Sequence, residues 1–172
     1  AEELLVSLHE AGFEDATLPD DTASLMSRAA SLRDARRYDA SWALYTELGK
    51  RAEDDPKLQR WVEDSAEAFG WRTHRWDFLV DLYASHYADD ANSKTLWSQY
   101  KVLDRGGRHA EASQLAKVGQ SQHGNTRDWR RKEESIARSF LLARDYPGAR
   151  DQLDTVAARG GWTGRRAAFY AA

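Results

Sequence analysis

The 172-residue sequence contains no cysteine and only three prolines. The absence of cysteine excludes disulfide bonds, thiolate zinc sites and cysteine nucleophiles. No apolar run approaches the roughly 20 residues that a membrane-spanning helix requires, so no membrane span is predicted. The composition is 41% hydrophobic and 31% charged. With so little proline, it favours helices over strands or disorder.

The sequence also lacks a strong excess of either charge. It has 25 Lys and Arg residues against 28 Asp and Glu residues, which gives a formal net charge of -3. Such a chain has no long-range positive field of the kind that a dedicated nucleic-acid binder uses. No nucleic-acid partner is therefore expected.

The ends of the chain carry no targeting signal. The N-terminus has no basic segment followed by an apolar one, and the chain starts at Ala1 and stops at Ala172 inside a helical pattern. We expect a piece of a longer protein. The absence of cysteine means that an oxidising compartment, the periplasm included, would pose no thiol problem, which permits that compartment without proving it.

Apolar residues recur at steps of three and four in nearly every segment, and no stretch alternates as a half-buried strand would. Glycine, proline and paired acidic residues separate these segments. The predicted helices cover residues 2–11, 21–35, 38–53, 56–69, 72–87, 93–105, 109–122, 127–143 and 146–158, with a last helix from about 163.

A second, longer period runs through the chain. An aromatic or histidine residue closes a turn at Tyr38, Trp71, His109 and Tyr146, with spacings of 33, 38 and 37 residues. In the best examples a small residue follows three positions later and a larger apolar residue seven positions later. Periods of this length indicate stacked helical hairpins.

The clearest phrases are Tyr38, Ser41, Tyr45 and Leu48, and Tyr146, Ala149, Leu153 and Val156. The first helix of each pair carries a matching trio: Leu25, Ala29 and Leu32; Leu58, Val62 and Ser65; Leu96, Tyr100 and Leu103; Glu133, Ala137 and Phe140. This pattern resembles the tetratricopeptide repeat, a helix–turn–helix unit of about 34 residues, over roughly residues 21–161.

The resemblance implies an all-α fold, a right-handed superhelix (α-solenoid) of about four antiparallel helical hairpins with flanking helices. The expected repeats are 21–55, 56–91, 92–125 and 126–161, within one domain that spans residues 1–172. Tyr146, Ala149 and Leu153 are expected to lie inside or between hairpins, with Ala149 at a site that needs a small side chain. The second repeat departs from the pattern, because a frame that starts at Trp71 puts His74 at the small site.

No catalytic or metal-binding set is present. The five histidines have neither the spacing nor the neighbours of zinc ligands. No serine occupies a nucleophile elbow, and no glycine-rich loop is built to hold phosphate. The acidic pairs Asp20-Asp21 and Asp89-Asp90 are predicted to cap helices. We therefore expect no metal, no cofactor and no enzymatic activity.

Tryptophan is abundant, with seven residues. The segments 71–76 and 129–132 interleave aromatic and basic residues, a pattern compatible with stacking on nucleic-acid bases or sugars. The alternative, which we favour, is that Trp61, Trp71, Trp76 and Trp97 fill the space between helices.

Repeat superhelices of this type bind partners on the concave face, which the first helix of each hairpin lines. Cations together with an aromatic ring suit an acidic or carboxylate-bearing partner. The predicted partner-binding residues are Trp97, Lys101, Arg138, Lys94, Arg131 and Glu134.

The first functional hypothesis is a non-catalytic scaffold that binds a segment of another protein. The alternative is a periplasmic scaffold of a bacterial exopolysaccharide export or cell-envelope assembly, which rests on family analogy. A helical-repeat enzyme is the third. Self-association is left open by the sequence.

Overall fold

A computed structural model describes residues 21–52 and 55–158. Within these ranges the chain forms eight helices and no strand, which confirms the all-α prediction for this part. None of these helices is both long and apolar enough to cross a membrane. The helices are α1 (Thr22–Asp34), α2 (Tyr38–Arg51), α3 (Pro56–Thr73), α4 (Trp76–Asp89), α5 (Ser93–Arg105), α6 (His109–His123), α7 (Glu133–Leu142) and α8 (Tyr146–Ala158). The helices predicted at 2–11 and from about 163 lie outside the described residues.

Short polar side chains start several helices. The Asp21 carboxylate accepts a hydrogen bond from the Ser24 N–H at 2.8 Å, as predicted for an N-cap. Hydrogen bonding with the Ser24 side chain, and next the bond from the Ser24 N–H, lowers the pKa of Asp21. The cap predicted at Asp89-Asp90 was wrong. Asn92 caps α5 instead, by accepting from the Thr95 N–H at 2.9 Å.

The turns that precede five helices share one backbone feature. The residue two positions before α2, α4, α6, α7 and α8 has a positive φ, between 60° and 78°; these residues are Arg36, His74, Gly107, Arg131 and Arg144. In three of these turns the next N–H bonds to the carbonyl oxygen five residues back, as a Schellman helix end requires. The three bonds are Arg37 N–H to Leu32, Arg108 N–H to Leu103 and Asp145 N–H to Phe140, each at 2.9 Å.

This feature corrects the predicted second repeat. Helix α3 continues through Trp71 to Thr73, and the next helix starts at Trp76 rather than at residue 72. The aromatic or histidine residues that open helices are therefore Tyr38, Trp76, His109 and Tyr146. In this frame the positions three and seven residues after Trp76 are Leu79 and Tyr83, and both are buried. The misplaced start explains His74, but Leu79 is larger than the small residue that the pattern has at this position, so the second predicted repeat still departs from it.

The chain divides into two compact units, with the division between Thr73 and His74. In the first unit α2 packs against both α1 and α3. Its core contains the predicted trio of α1, with Leu44, Tyr45, Leu48 and Phe69 from the other two helices. The predicted second repeat, residues 56–91, contains α3 and α4, which belong to different units.

In the second unit each helix from α4 to α8 packs against the next one in sequence. The predicted trio of α5 and that of α7 are buried, including Glu133, which is 7% exposed. The helix predicted at 127–143 starts only at Glu133, because the preceding segment forms turns that carry Trp129 into the core. Trp129 is 1% exposed, and its indole N–H donates to the Ser93 carbonyl oxygen at 3.2 Å.

Trp129 occupies the space that Gly119 leaves open on α6. A Cβ atom added at Gly119 would overlap Cη2 and Cζ2 of the Trp129 ring. Gly119 and Ala116 are both buried on α6. The Trp129 ring, which comes from outside the regular helices, fills the space beside Gly119.

We expect Gly119→Ala to lower the free energy of unfolding by about 1–3 kcal/mol, because the methyl group forces the Trp129 ring to move. Gly49→Ala is the matched control, since Gly49 is also helical and an added Cβ there meets only ordinary contact, 3.9 Å from Val62 Cγ1. That variant should gain up to about 1 kcal/mol from helix propensity. Urea unfolding measures both; equal stabilities would contradict the packing of Trp129 on Gly119.

The predicted burial of the last repeat is correct at two of three positions. Ala149 is 1% exposed and Leu153 is 8% exposed, and Leu153 packs with Ala137 and Val156 between α7 and α8. Tyr146, however, is 63% exposed. It is the first residue of α8 and precedes Pro147, so its ring lies beyond the layer in which the two helices pack.

Candidate binding groove

A cleft of about 870 Å³ lies in the second unit between α5 and α7. We call it the α5–α7 groove. It is lined by Trp97, Tyr100, Lys101, Asp104 and Arg105 of α5, by Gly107 and His109 after it, and by Glu134, Ser135, Arg138 and Leu142 of α7.

Four of the six predicted partner-binding residues line this groove: Trp97, Lys101, Glu134 and Arg138. The structure does not bring the other two to it. Lys94 is exposed in the first turn of α5, and Arg131 is exposed in the turn before α7, where it has a φ of 61°. The predicted helix at 127–143 had placed Arg131 on the same helical face as Arg138, whereas the observed α7 begins after it.

Trp97 is packed on several sides by its own chain. It stacks on Tyr100, with ring centroids 4.7 Å apart, and meets Trp129 edge-on at 5.1 Å. The Lys132 ammonium lies 5.3 Å from the centre of its ring, a cation–π arrangement. Trp97 thus packs on its own helix and on the segment before α7, and it is only half-buried. What remains for a ligand is the part of the ring that faces the groove.

A chain of polar groups forms the floor of the groove. The Tyr100 hydroxyl lies 3.0 Å from the Ser135 carbonyl oxygen and 2.8 Å from Ser139 Oγ. Ser139 in turn donates to Asp104 Oδ1 at 2.7 Å, and His109 Nδ1 lies 3.2 Å from the same oxygen. Burial raises the pKa of Tyr100 to about 12, with a further contribution from the Asp104 charge, so the hydroxyl keeps its proton at neutral pH.

This order of groups differs from a hydrolytic triad. In a triad the imidazole lies between the serine and the carboxylate and removes the serine proton. Here the carboxylate of Asp104 lies between Ser139 and His109, and Ser139 is fully buried and donates to that carboxylate. The arrangement ties α5, α6 and α7 together, and the His109 imidazole does not contact the serine as the base of a triad does.

The groove carries more positive than negative charge. Three cations, Lys101, Arg105 and Arg138, and two carboxylates, Asp104 and Glu134, line it. The Asp104 carboxylate accepts a hydrogen bond from Ser139, and Lys101 and Arg105 also interact within the chain. By charge count, an anionic group that enters the groove meets one more cation than carboxylates.

Sequence reasoning missed the part of the groove that comes from the ends of α5 and α7. Arg105, His109, Ser135 and Leu142 line it although none was in the predicted set. For Arg105 and Leu142 the signal was present in the helical spacing, because each lies four positions after a predicted residue, Lys101 or Arg138, and shares its helical face. The spacing gives no such signal for His109. Among residues 21–52 and 55–158, no group of three or more His, Asp or Glu side chains is placed to hold a metal ion.

Comparisons with protein-family models, with curated proteins and with solved structures returned no match for this chain. The tetratricopeptide resemblance and the right-handed superhelix therefore remain predictions.

Proposed function

We propose that this chain is a non-catalytic binding module that holds an acidic segment of another protein in the α5–α7 groove. The observation that carries the proposal is the convergence of Trp97, Lys101 and Arg138 on one cleft. Cations beside an aromatic wall recognise carboxylates through charge-assisted hydrogen bonds and supply contact area for the rest of the segment.

The polar floor supports a binding role because it holds the groove in a fixed shape. The contacts among Tyr100, Ser139, Asp104 and His109 connect three helices. A site whose walls are already in place loses less conformational entropy when a ligand binds. The groove thus needs no large rearrangement to accept an extended segment.

The test is a titration of the full chain with a short Gly/Ser peptide that carries glutamates, at low and high salt. We expect the double variant Lys101→Glu with Arg138→Glu to bind this peptide at least about tenfold more weakly, since two attractions become repulsions. The remaining binding should lose most of its salt sensitivity. Arg138 is exposed, whereas Lys101 is half-buried and has a partner within the chain. Helical content should stay close to that of the parent, and thermal unfolding of the same variant measures any cost in stability separately from binding.

The matched control is Arg127→Glu with Arg150→Glu, an equal change of charge at two exposed positions that do not line the groove. It should bind the acidic peptide with nearly the affinity of the parent chain. If the groove variant and the parent bind equally well, the site lies elsewhere on the chain. If both double variants lose affinity equally, the peptide responds to net charge rather than to the groove.

A further inference from the structure

The first unit contains its own cleft, of about 680 Å³, between the end of α1 and the length of α3. We call it the α1–α3 cleft. It is lined by Arg33 and Asp34 of α1 and by Trp61, Asp64, Ser65, Ala68, Phe69 and Arg72 of α3.

This cleft is built from the same positions as the α5–α7 groove. The residue with a left-handed backbone is Arg36 after α1 and His74 after α3. The lining residues Arg33 and Asp34 lie three and two positions before Arg36, and the lining residues Asp64, Ser65, Ala68 and Arg72 lie ten, nine, six and two positions before His74. In the α5–α7 groove the residues at the same distances from Gly107 and Arg144 also belong to the lining: Asp104 and Arg105, then Glu134, Ser135, Arg138 and Leu142. The two sites are thus equivalent in register, one in each unit.

The side chains at these equivalent positions differ in charge. Ala68 stands where the groove has Arg138, and Ala30 stands where it has Lys101. The α1–α3 cleft therefore lacks both central cations on which the proposed binding of an acidic segment depends. An acidic segment has no comparable attraction to this second site.

With both central cations absent, an aromatic ring and a carboxylate remain in the α1–α3 cleft, and the carboxylate, Asp64, stands where the groove has Glu134. Trp61 and Asp64 are one helical turn apart on α3, and both line the cleft. Asp64 is exposed, and within residues 21–52 and 55–158 it forms no ion pair or hydrogen bond. Trp61 is half-buried and contacts Tyr45 at a centroid distance of 6.4 Å.

The cations that lie nearest to Asp64 in the sequence or in the cleft lining do not neutralise its charge. Arg33 is bound to Asp34 at 3.0 Å. Arg72 follows Asp64 by eight residues, a backbone separation of about 12 Å along the helix, and the two form no ion pair in the part of the chain that the structure describes. Arg60 lies one turn before Asp64 but does not line the cleft.

We propose that the α1–α3 cleft is a second binding site, which takes an arginine or lysine side chain of a partner protein between the Trp61 ring and the Asp64 carboxylate. A cation over an indole face and beside a carboxylate gains from both groups. Ser65 and Ala68 are small and leave room in the cleft wall for the aliphatic part of such a side chain. This site does not depend on the function proposed for the α5–α7 groove.

The experiment is a nuclear magnetic resonance titration of the full chain with a short Gly/Ser peptide that carries two arginines, beside a peptide with glutamates in their place. The indole N–H signal of Trp61, assigned with Trp61→Phe, reports on the cleft. We expect the arginine peptide to shift this signal, and Asp64→Asn to weaken its binding roughly three- to fivefold. Asp81→Asn, at an exposed position on α4, is the matched control and should bind as the parent does.

The outcomes separate this site from the α5–α7 groove. Arginine-peptide binding that survives Lys101→Glu with Arg138→Glu and weakens in Asp64→Asn supports the proposal, whatever the acidic peptide does. The proposal is overturned if the arginine peptide leaves the Trp61 signal unmoved at saturation, if the glutamate peptide moves it equally, or if Asp64→Asn and Asp81→Asn bind alike.

Discussion

Replacing Trp129 by alanine should lower the free energy of unfolding by about 3–5 kcal/mol, the range expected for a fully buried aromatic side chain. The ring is 1% exposed and contacts Trp97 and Tyr100, with centroids 5.1 and 5.9 Å away. Its indole N–H also satisfies the Ser93 carbonyl oxygen. Urea unfolding followed by far-UV circular dichroism measures the loss.

A half-buried tryptophan provides the control for this prediction. Trp71→Ala removes the same atoms from a position on α3 that keeps part of its surface in water, so its cost should be smaller. Combining Trp129→Ala with Gly119→Ala should remove most of the penalty of the glycine substitution, because the overlapping ring is gone. Strictly additive effects would contradict direct packing between the two residues.

The helix bounds that the sequence predicted well are those marked by local chemistry. Helices α5 and α8 have the predicted ends, and α6 differs by one residue. Gly106-Gly107 follows α5, and Pro147 is tolerated in the first turn of α8. Where the signals lie within a few residues of the boundary, periodicity and turn residues are sufficient.

The break between α3 and α4 was misplaced because its turn has no glycine. The left-handed position there is His74, while Gly70 lies inside α3 and is buried. Arginine also takes this position at Arg36 and Arg144, at a cost on the order of 1 kcal/mol each. Comparison of these turns with one another, rather than a search for glycine, gives the correct frame.

The role of Trp129 depends on residues far apart in the sequence, and helical periodicity carries no information about it. Its ring fits against Gly119 on α6 and Trp97 on α5, so its position follows from tertiary packing. The same reason explains the missed floor of the groove. Tyr100 and Ser139 are 39 residues apart, and only the packing of α5 on α7 brings them together.

Replacing Leu153 by alanine should cost about 2–5 kcal/mol, since it deletes three carbon atoms from the contact between α7 and α8 and leaves a cavity. Leu153 is 8% exposed and packs with Ala137 and Val156. Leu141→Ala makes the same substitution on α7 at a side chain that is 47% exposed. That variant should stay within about 0.5 kcal/mol of the parent in urea unfolding. If the two leucine variants are equally stable, Leu153 does not hold α8 on α7, and the register of this last hairpin is wrong.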